Sequence, residues 1–358
     1  MSTDISDLAR RLAQNAEAVC RHYLSSGRRE GRYWLVGDVH NTPGRSLFVR
    51  LNGGTSGKGA AGRWQDAATG QHGDLLDIIR ERCSLSEFRD VAEEARRFLG
   101  LARDEDRLVS SSATIRIAGR DRDRDRVQDQ NRARRLFAKA QALPGTLAEA
   151  YLCRRGIMNL QETGALRFHP RCFYREAPGA LRETWPALIA AVTNLNGVIT
   201  GVHRTWLDPD GIDPIRLGKA PVTTPRRALG HLLGHAVRFG TPSDILAVGE
   251  GIETMLSLRC VVPAMPMAAA LSAGHLAAIL LPAGLQRLYI ARDADPAGNL
   301  AVAKLNERAH AAEIEVITLS PRLGDFNDDL REHHLDELRA RLRGQIVPED
   351  VARFMASG

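Results

Sequence analysis

The sequence predicts an α/β protein: a mostly parallel sheet flanked by helices, preceded by a basic α+β subdomain and a small ribbon-like N-terminal domain. Three observations carry this. From Asp244 onward, short apolar runs alternate with helical segments, the pattern of a parallel sheet covered by helices. Between Leu188 and Thr205, two apolar runs flank Asn194-Leu195-Asn196-Gly197, a hairpin signal. Near the start, Tyr33 to Val36 and Ser46 to Leu51 are short strand candidates joined by long turns, with a glycine-rich turn from Asn52 to Gly62 leading into Arg63-Trp64.

Taken in order, residues 5–25 read as one helix, with Ile5, Leu8, Leu12, Ala16, Val19, Cys20 and Tyr23 at helical spacing behind Asp4. After the ribbon come two amphipathic helices, Asp74 to Arg82 and Leu85 to Leu99, the second opened by a capping-box pair, Ser84 and Glu87. From Ala102 to Arg132 the periodicity dissolves. The run Arg120 to Arg126 alternates sign and offers no apolar face, which marks a solvated linker. Helices at Ala133 to Leu143 and Thr146 to Arg154 follow, then the hairpin. The last part alternates: Ile245 to Val248, Ile252 to Arg259, Met265 to Ala270, Gly274 to Leu281, Gln286 to Ala291, Ala297 to Ala312 and Glu315 to Leu319. The expected division is 1–103, a linker 104–131, 132–243, 244–330 and a helical tail 331–358.

Composition narrows the function classes. The chain has 358 residues, 44% hydrophobic and 26% charged, and its apolar runs are too short and interrupted to span a bilayer, so no membrane partner is expected. Residues 1–20 contain Asp4, Asp7 and Glu17 and no apolar core of a secretory signal, so the expected location is the cytoplasm. Five dispersed cysteines form no CxxC pair, which argues against a disulfide framework and a thiolate-rich metal knuckle. Net charge is +6, and 45 of the 49 basic residues are arginine, an excess that permits a polyanionic partner without requiring one.

Three predicted strand ends carry carboxylates. Leu246-Ala247-Val248 runs into Gly249-Glu250-Gly251, Leu288-Tyr289-Ile290 into Asp293-Ala294-Asp295, and Val316 to Leu319 into Asp325-Phe326-Asn327-Asp328. Carboxylates converging at one sheet edge repel one another unless a cation that prefers oxygen ligands sits among them. Gly249-Glu250-Gly251-Ile252-Glu253-Thr254, with the two aspartate motifs behind it, resembles the Toprim domain shared by bacterial-type primases, type IA and II topoisomerases and some nucleases. Its wording is most similar to primases of plasmids, integrative elements and phages. The resemblance implies that Glu250 is a general acid or base, that Asp293 and Asp295 hold Mg²⁺ or Mn²⁺ with it, and that Asp325 or Asp328 joins them. The cellular primase has a carboxylate four residues after the glutamate; here that position is Thr254, and Glu253 is the candidate substitute.

Upstream, Arg204, Arg216, Lys219, Arg226 and Arg227 form a basic segment suited to backbone phosphates. The resemblance implies a subdomain that binds template and nucleotide there. Trp206 could stack on a base, although burial in the hairpin is favoured. His231 and His235 are four residues apart, a spacing that places two ligands on one helix face, but no third ligand is near in sequence. The N-terminal segment Val39 to Val49, with Gly62-Arg63-Trp64-Gln65-Asp66 and Gly73 to Asp77, resembles the zinc ribbon that begins primases. The family's cysteine positions correspond to Gly37, Asp66 and Thr69, with His40 alone surviving, so no zinc is expected. Packing of Trp34, Phe48 and Trp64 is the expected substitute.

The resemblance as a whole implies a primase that makes short primers on single-stranded DNA from nucleoside triphosphates, with a separate replicative helicase as a further partner since no Walker A pattern is present. A Toprim nuclease and a non-catalytic DNA-binding accessory protein are the alternatives. None of the five tyrosines lies in an evident cleavage domain, which argues against a topoisomerase.

Overall fold

The computed structural model describes residues 5–54, 60–68, 71–83, 85, 88–101, 127–160, 163–176, 181–211 and 217–355. The Asp4 and Ser84–Glu87 capping signals, part of the glycine-rich turn, Thr69, Arg216 and the linker before residue 127 lie outside these residues. The chain divides into two compact units, Met1–Val127 and Gln128–Gly358.

In the first unit, α1 (Ile5–Gln14) and α2 (Ala16–Tyr23) replace the single expected helix. Asn15 makes the break: its side-chain amide donates to the Arg11 carbonyl at 2.9 Å, competing with the helical ladder, and its φ/ψ of −109°/25° leaves the helical region. An antiparallel meander follows: β1 (Arg28–Glu30), β2 (Tyr33–Val36), β3 (Leu47–Arg50), β4 (Trp64–Asp66) and β5 (His72–Gly73), adjacent in that order. Helices α3 (Leu75–Cys83) and α4 (Phe88–Phe98) complete a core in which Leu8, Leu12, Val19, Trp34, Leu47, Val49, Trp64, Ile78 and Ile79 are buried. Trp34 and Trp64 serve as expected, their indole N–H groups donating to the Leu24 and Asp74 carbonyls, both at 2.9 Å. Phe48 does not join them. It is half-buried, because strand alternation turns Leu47 and Val49 inward instead.

The second unit opens with helical residues 127–139, α5, shorter than expected at its end because Gln141 already pairs as an extended residue with Phe168. Helix α6 (Leu147–Cys153) is capped by Thr146, whose hydroxyl accepts from the Glu149 N–H. A four-stranded antiparallel sheet runs β6 (Leu166–Tyr174), β7 (Glu183–Thr193), β8 (Ile199–Trp206) and β9 (Arg226–Gly230). The β7–β8 hairpin is the one the sequence signals. His231 and His235 lie in the turns after β9 rather than on a helix, their rings 5.1 Å apart.

The remaining sheet has the order β10-β12-β11-β13-β14. Its strands are β10 (Val237–Phe239), β11 (Ile245–Gly249), β12 (Met267–Ala269), β13 (Arg287–Ala291) and β14 (Glu315–Leu319), parallel except for β10. Helices α7 (Ile252–Val261), α8 (Ala273–Ala278), α9 (Pro296–His310), α10 (Phe326–Arg343) and α11 (Pro348–Phe354) cover it. Residues 330 and 331 both lie inside α10, and the helix kinks at His334, whose φ is 63°. Leu188, Ala190 and Val192 of the antiparallel sheet share one core with Ala247, Met267 and Tyr289 of the parallel one and Met255 of α7. The fold class is therefore as the sequence predicts. Among the described residues, no helix is long and apolar enough to cross a membrane.

Candidate active site

Strand β11 is the centre of the parallel sheet, with β12 on one side and β13 on the other. The connections thus reverse direction between β11 and β13, and in open α/β sheets ligands bind beyond the carboxyl ends of the strands at such a switch point. Glu250 directly follows β11, and Asp293 and Asp295 follow β13. Side chains crowd both glycines beside Glu250: a Cβ on Gly249 would lie 2.6 Å from the Met255 sulfur, and one on Gly251 would lie 2.8 Å from the Thr254 hydroxyl, so larger residues there would displace these side chains. The Leu271 N–H donates to the Glu250 carbonyl at 2.8 Å, and Leu271 itself holds a φ of 80°, a left-handed conformation unusual for leucine and of the kind found beside functional groups.

The other loops are tied to the same edge. The Ala294 N–H donates to the Gly324 carbonyl at 2.8 Å, which brings the loop after β13 beside the one that precedes α10. Asp295 caps α9, accepting from the Gly298 N–H at 2.7 Å, while Asp325 caps α10, accepting from the Asn327 and Asp328 N–H groups at 2.7 and 2.8 Å. Asp328 lies 3.4 Å from Arg331.

Glu250 and Asp293 stand apart from the capping aspartates. Glu250 Oε1 and Asp293 Oδ1 are buried and accept no hydrogen bond. Burial, with Asp293 and Asp295 nearby, pushes Glu250 up to about 8. Burial likewise pushes Asp293 up to about 7, with Asp325, Asp295 and Asp328 adding to the effect and Arg226 opposing it. Asp325 is raised mainly by burial. Orphaned carboxylate oxygens in a site this costly to ionise fit a hard divalent cation. Among the described residues, no three His, Cys, Asp or Glu side chains are already gathered as a metal cage. The five expected carboxylates thus share one sheet edge but divide into two orphaned acids, two helix caps and Asp328, which pairs with Arg331.

Glu253 is committed elsewhere. Its Oε1 accepts from the Tyr151 hydroxyl and from Arg226 Nη2, the latter at 2.9 Å. Burial alone would raise its pKa, but Arg226, Arg155, Tyr151 and Lys219 outweigh it and hold the carboxyl well below the usual range. A connected chain of bonds extends from it: Ser257 Oγ donates to the Glu253 carbonyl at 2.8 Å, Asn327 Nδ2 donates to Ser257 Oγ at 3.0 Å and to the Arg155 carbonyl at 2.9 Å, and Arg155 Nη1 donates to Asn327 Oδ1 at 2.8 Å. Sequence reasoning missed Tyr151, Arg155, Ser257 and Asn327; only the placing of Asn327 between two aspartates hinted at any of them.

The basic residues have different jobs. Lys219 is half-buried and lowered to about 8, by burial first and then by Arg226, with Glu253 and Asp325 partly restoring it. Arg226 is the ion-pair partner of Glu253, with 41% of its side chain exposed. Arg204 donates to the Ala228 carbonyl at 2.8 Å and lies over the Trp206 ring. Arg227 donates to the Arg175 and Glu176 carbonyls and stacks on Tyr174. Trp206 is 1% exposed, which removes it as a base-stacking residue. Arg216 lies outside the described residues.

In the N-terminal unit, Gly37 has no room for a side chain, since a Cβ would lie 2.7 Å from the Thr42 carbonyl. Asp66 Oδ1 accepts from the Ala68 N–H at 2.9 Å, and His40 is exposed.

Sheet order, switch point and acidic strand ends define the C-terminal part as a Toprim-type α/β domain, and residues 245–336 match the family model described as the Toprim domain. Residues 127–239 match a family described only as a domain of unknown function (DUF7146). A comparison with curated proteins finds no match. Among solved structures, the chain is similar to the zinc-binding and RNA polymerase domains of the Aquifex aeolicus primase, at 16% identity and a TM-score of 0.43 over 97% of this chain and 86% of that one. It is also similar to a DNA primase domain from Pseudomonas aeruginosa, at 16% identity and 0.42 over 60% and 78% of the two chains. A third similarity is to the primase fragment of the bacteriophage T7 primase-helicase protein, at 16% and 0.34 over 57% and 77%.

Proposed function

We propose that the chain is a primase-type nucleotidyltransferase of the mobile-element kind, making short primers on single-stranded DNA from nucleoside triphosphates, with a degenerate N-terminal ribbon that holds no zinc. The observation that carries it is the pair of buried, orphaned oxygens on Glu250 and Asp293 at the switch point of a Toprim domain. Glu250, Asp293 and Asp295, joined by Asp325 or Asp328, are the residues that would hold Mg²⁺ or Mn²⁺. The bound ion would neutralise phosphate oxygens and help to align an attacking hydroxyl. Glu250, raised to about 8, titrates near neutral pH, as an acid-base group must to take a proton and return it. Lys219, beside Glu253, Arg226 and Asp325, would meet a triphosphate with a compact positive charge. Arg226 would extend that charge toward a phosphate backbone, while Arg204 and Arg227 support the antiparallel sheet.

The test is incubation with labelled single-stranded DNA, nucleotides and Mg²⁺ or Mn²⁺. Extension products support the proposal. Shortened DNA would make the site that of a nuclease, and unchanged DNA would leave a binding protein.

A further inference from the structure

The end of the β6–β7 ribbon carries an arrangement that neither the strand-end carboxylates nor the Lys219 region uses. Phe173 is 60% exposed although it sits within a strand. Arg182 lies over its ring, 4.9 Å from the centroid. Strand alternation sorts the neighbouring residues by face. Cys172 and Tyr174 point into a core, joined on that side by Trp185, whose indole N–H donates to Glu183, and by Glu176, which accepts from the Thr223 hydroxyl. The alternate positions Arg171, Phe173, Arg175, Arg182 and Thr184 are all exposed. The outward face thus has three cations and one aromatic ring, and both local carboxylates belong to the opposite face. Among the described residues, Arg171, Arg175 and Arg182 form no ion pair. An exposed aromatic ring among arginines without ion-pair partners matches a ligand that offers flat faces and phosphates together.

We propose that this outward ribbon face is a stacking platform for single-stranded nucleic acid, with an unpaired base on Phe173, Arg182 at the ring, and Arg171 and Arg175 on the flanking phosphates. The inference rests on the reading that the chain works on single-stranded DNA and adds the surface that grips it. A duplex is a poor occupant because its base faces are already stacked on one another.

Fluorescence anisotropy with a labelled oligodeoxythymidylate, in chelator and without nucleotides, tests the surface independently of catalysis. Phe173→Ala is expected to weaken binding about tenfold, since one base–aromatic stack is worth about 1–3 kcal/mol, with an unchanged salt slope. Phe173→Trp should restore affinity. Arg171→Ala and Arg175→Ala should each lower the salt slope by roughly 0.7. A duplex of equal length should bind Phe173→Ala and wild type alike. Phe173 is exposed, so the variants keep the wild-type melting transition. The proposal is overturned if wild type binds no single strand at low salt, if Phe173→Ala binds within twofold of wild type, or if the duplex loses as much as the single strand. A chain that shows the Phe173 effect but makes no primers would refute the catalytic reading and keep this surface; primer synthesis with no Phe173 effect would do the reverse.

Discussion

Glu250 and Asp293 are held by the folded chain in a state that favours their protonated forms, and this has a sign. Their pKa values are raised to about 8 and about 7, so between the unfolded values and these the folded state binds more protons, and raising the pH lowers stability. Two buried histidines act oppositely: burial lowers His203 to about 3 and His275 to about 4, so their contribution grows with pH until their ordinary value of 6.5. Lys219, lowered to about 8, acts in the histidines' direction as the pH nears that value, so the window from pH 6.5 to about 7.5 is the one that reads the acids. In metal-free protein the melting temperature should fall across that window, and fall less in Glu250→Gln; a rise in wild type contradicts the assignment. Glu253 offers a second test at this scale. Removing one partner of a buried ion pair costs on the order of 3 kcal/mol, so Glu253→Ala should shift the denaturant midpoint strongly. Glu253→Gln should leave the Mg²⁺ concentration needed for half-maximal activity unchanged, because Glu253 Oε1 serves Tyr151 and Arg226. A raised requirement would return Glu253 to the metal site.

Helices α9 and α10 bring their first turns to the sheet edge by backbone fit as much as by side chains. A Cβ on Gly298 would lie 2.5 Å from the Asp293 carbonyl oxygen, so Gly298→Ala should push the start of α9 off Asp293, costing about 1–3 kcal/mol as overpacking does and lowering activity more than its stability loss explains. Asn327, 1% exposed, ties α10 to Arg155 and to Ser257 of α7. Asn327→Ala should cost about 2–3 kcal/mol by leaving these buried groups unpaired, read as a lower urea midpoint. The strands that end in carboxylates were legible because each is a short apolar run followed by glycine or aspartate. Strand β9 was not: Arg226-Arg227-Ala228-Leu229-Gly230 reads as a basic cluster, and only its pairing with β8 makes it a strand, with Glu253 and Tyr174 accepting from its arginines. Strand β6 was hidden for a related reason, since its bulge between His169 and Cys172 breaks the alternation that would have betrayed it.

At the scale of the molecule, each of the two units has its own buried core. The ribbon of the first is built from Trp34, Leu47, Val49 and Trp64, which leads to the expectation that elemental analysis finds no stoichiometric zinc and that chelators leave its melting transition in place. One tightly held zinc per chain would contradict that. The order of the chain, ribbon then basic region then acidic sheet, was readable because each part has its own pattern. The division of labour within the basic region was not, because Arg204, Arg226 and Arg227 are alike in sequence and differ only in what they touch. The central claim is that Glu250, half-buried with one orphaned oxygen at the switch point, does acid-base work in nucleotidyl transfer. The most direct measurement is primer synthesis on single-stranded DNA by wild type and Glu250→Gln at saturating Mg²⁺. The account predicts extension products from wild type and a loss of about a hundredfold or more in the variant, with single-strand affinity unchanged. Undiminished synthesis by Glu250→Gln would contradict it.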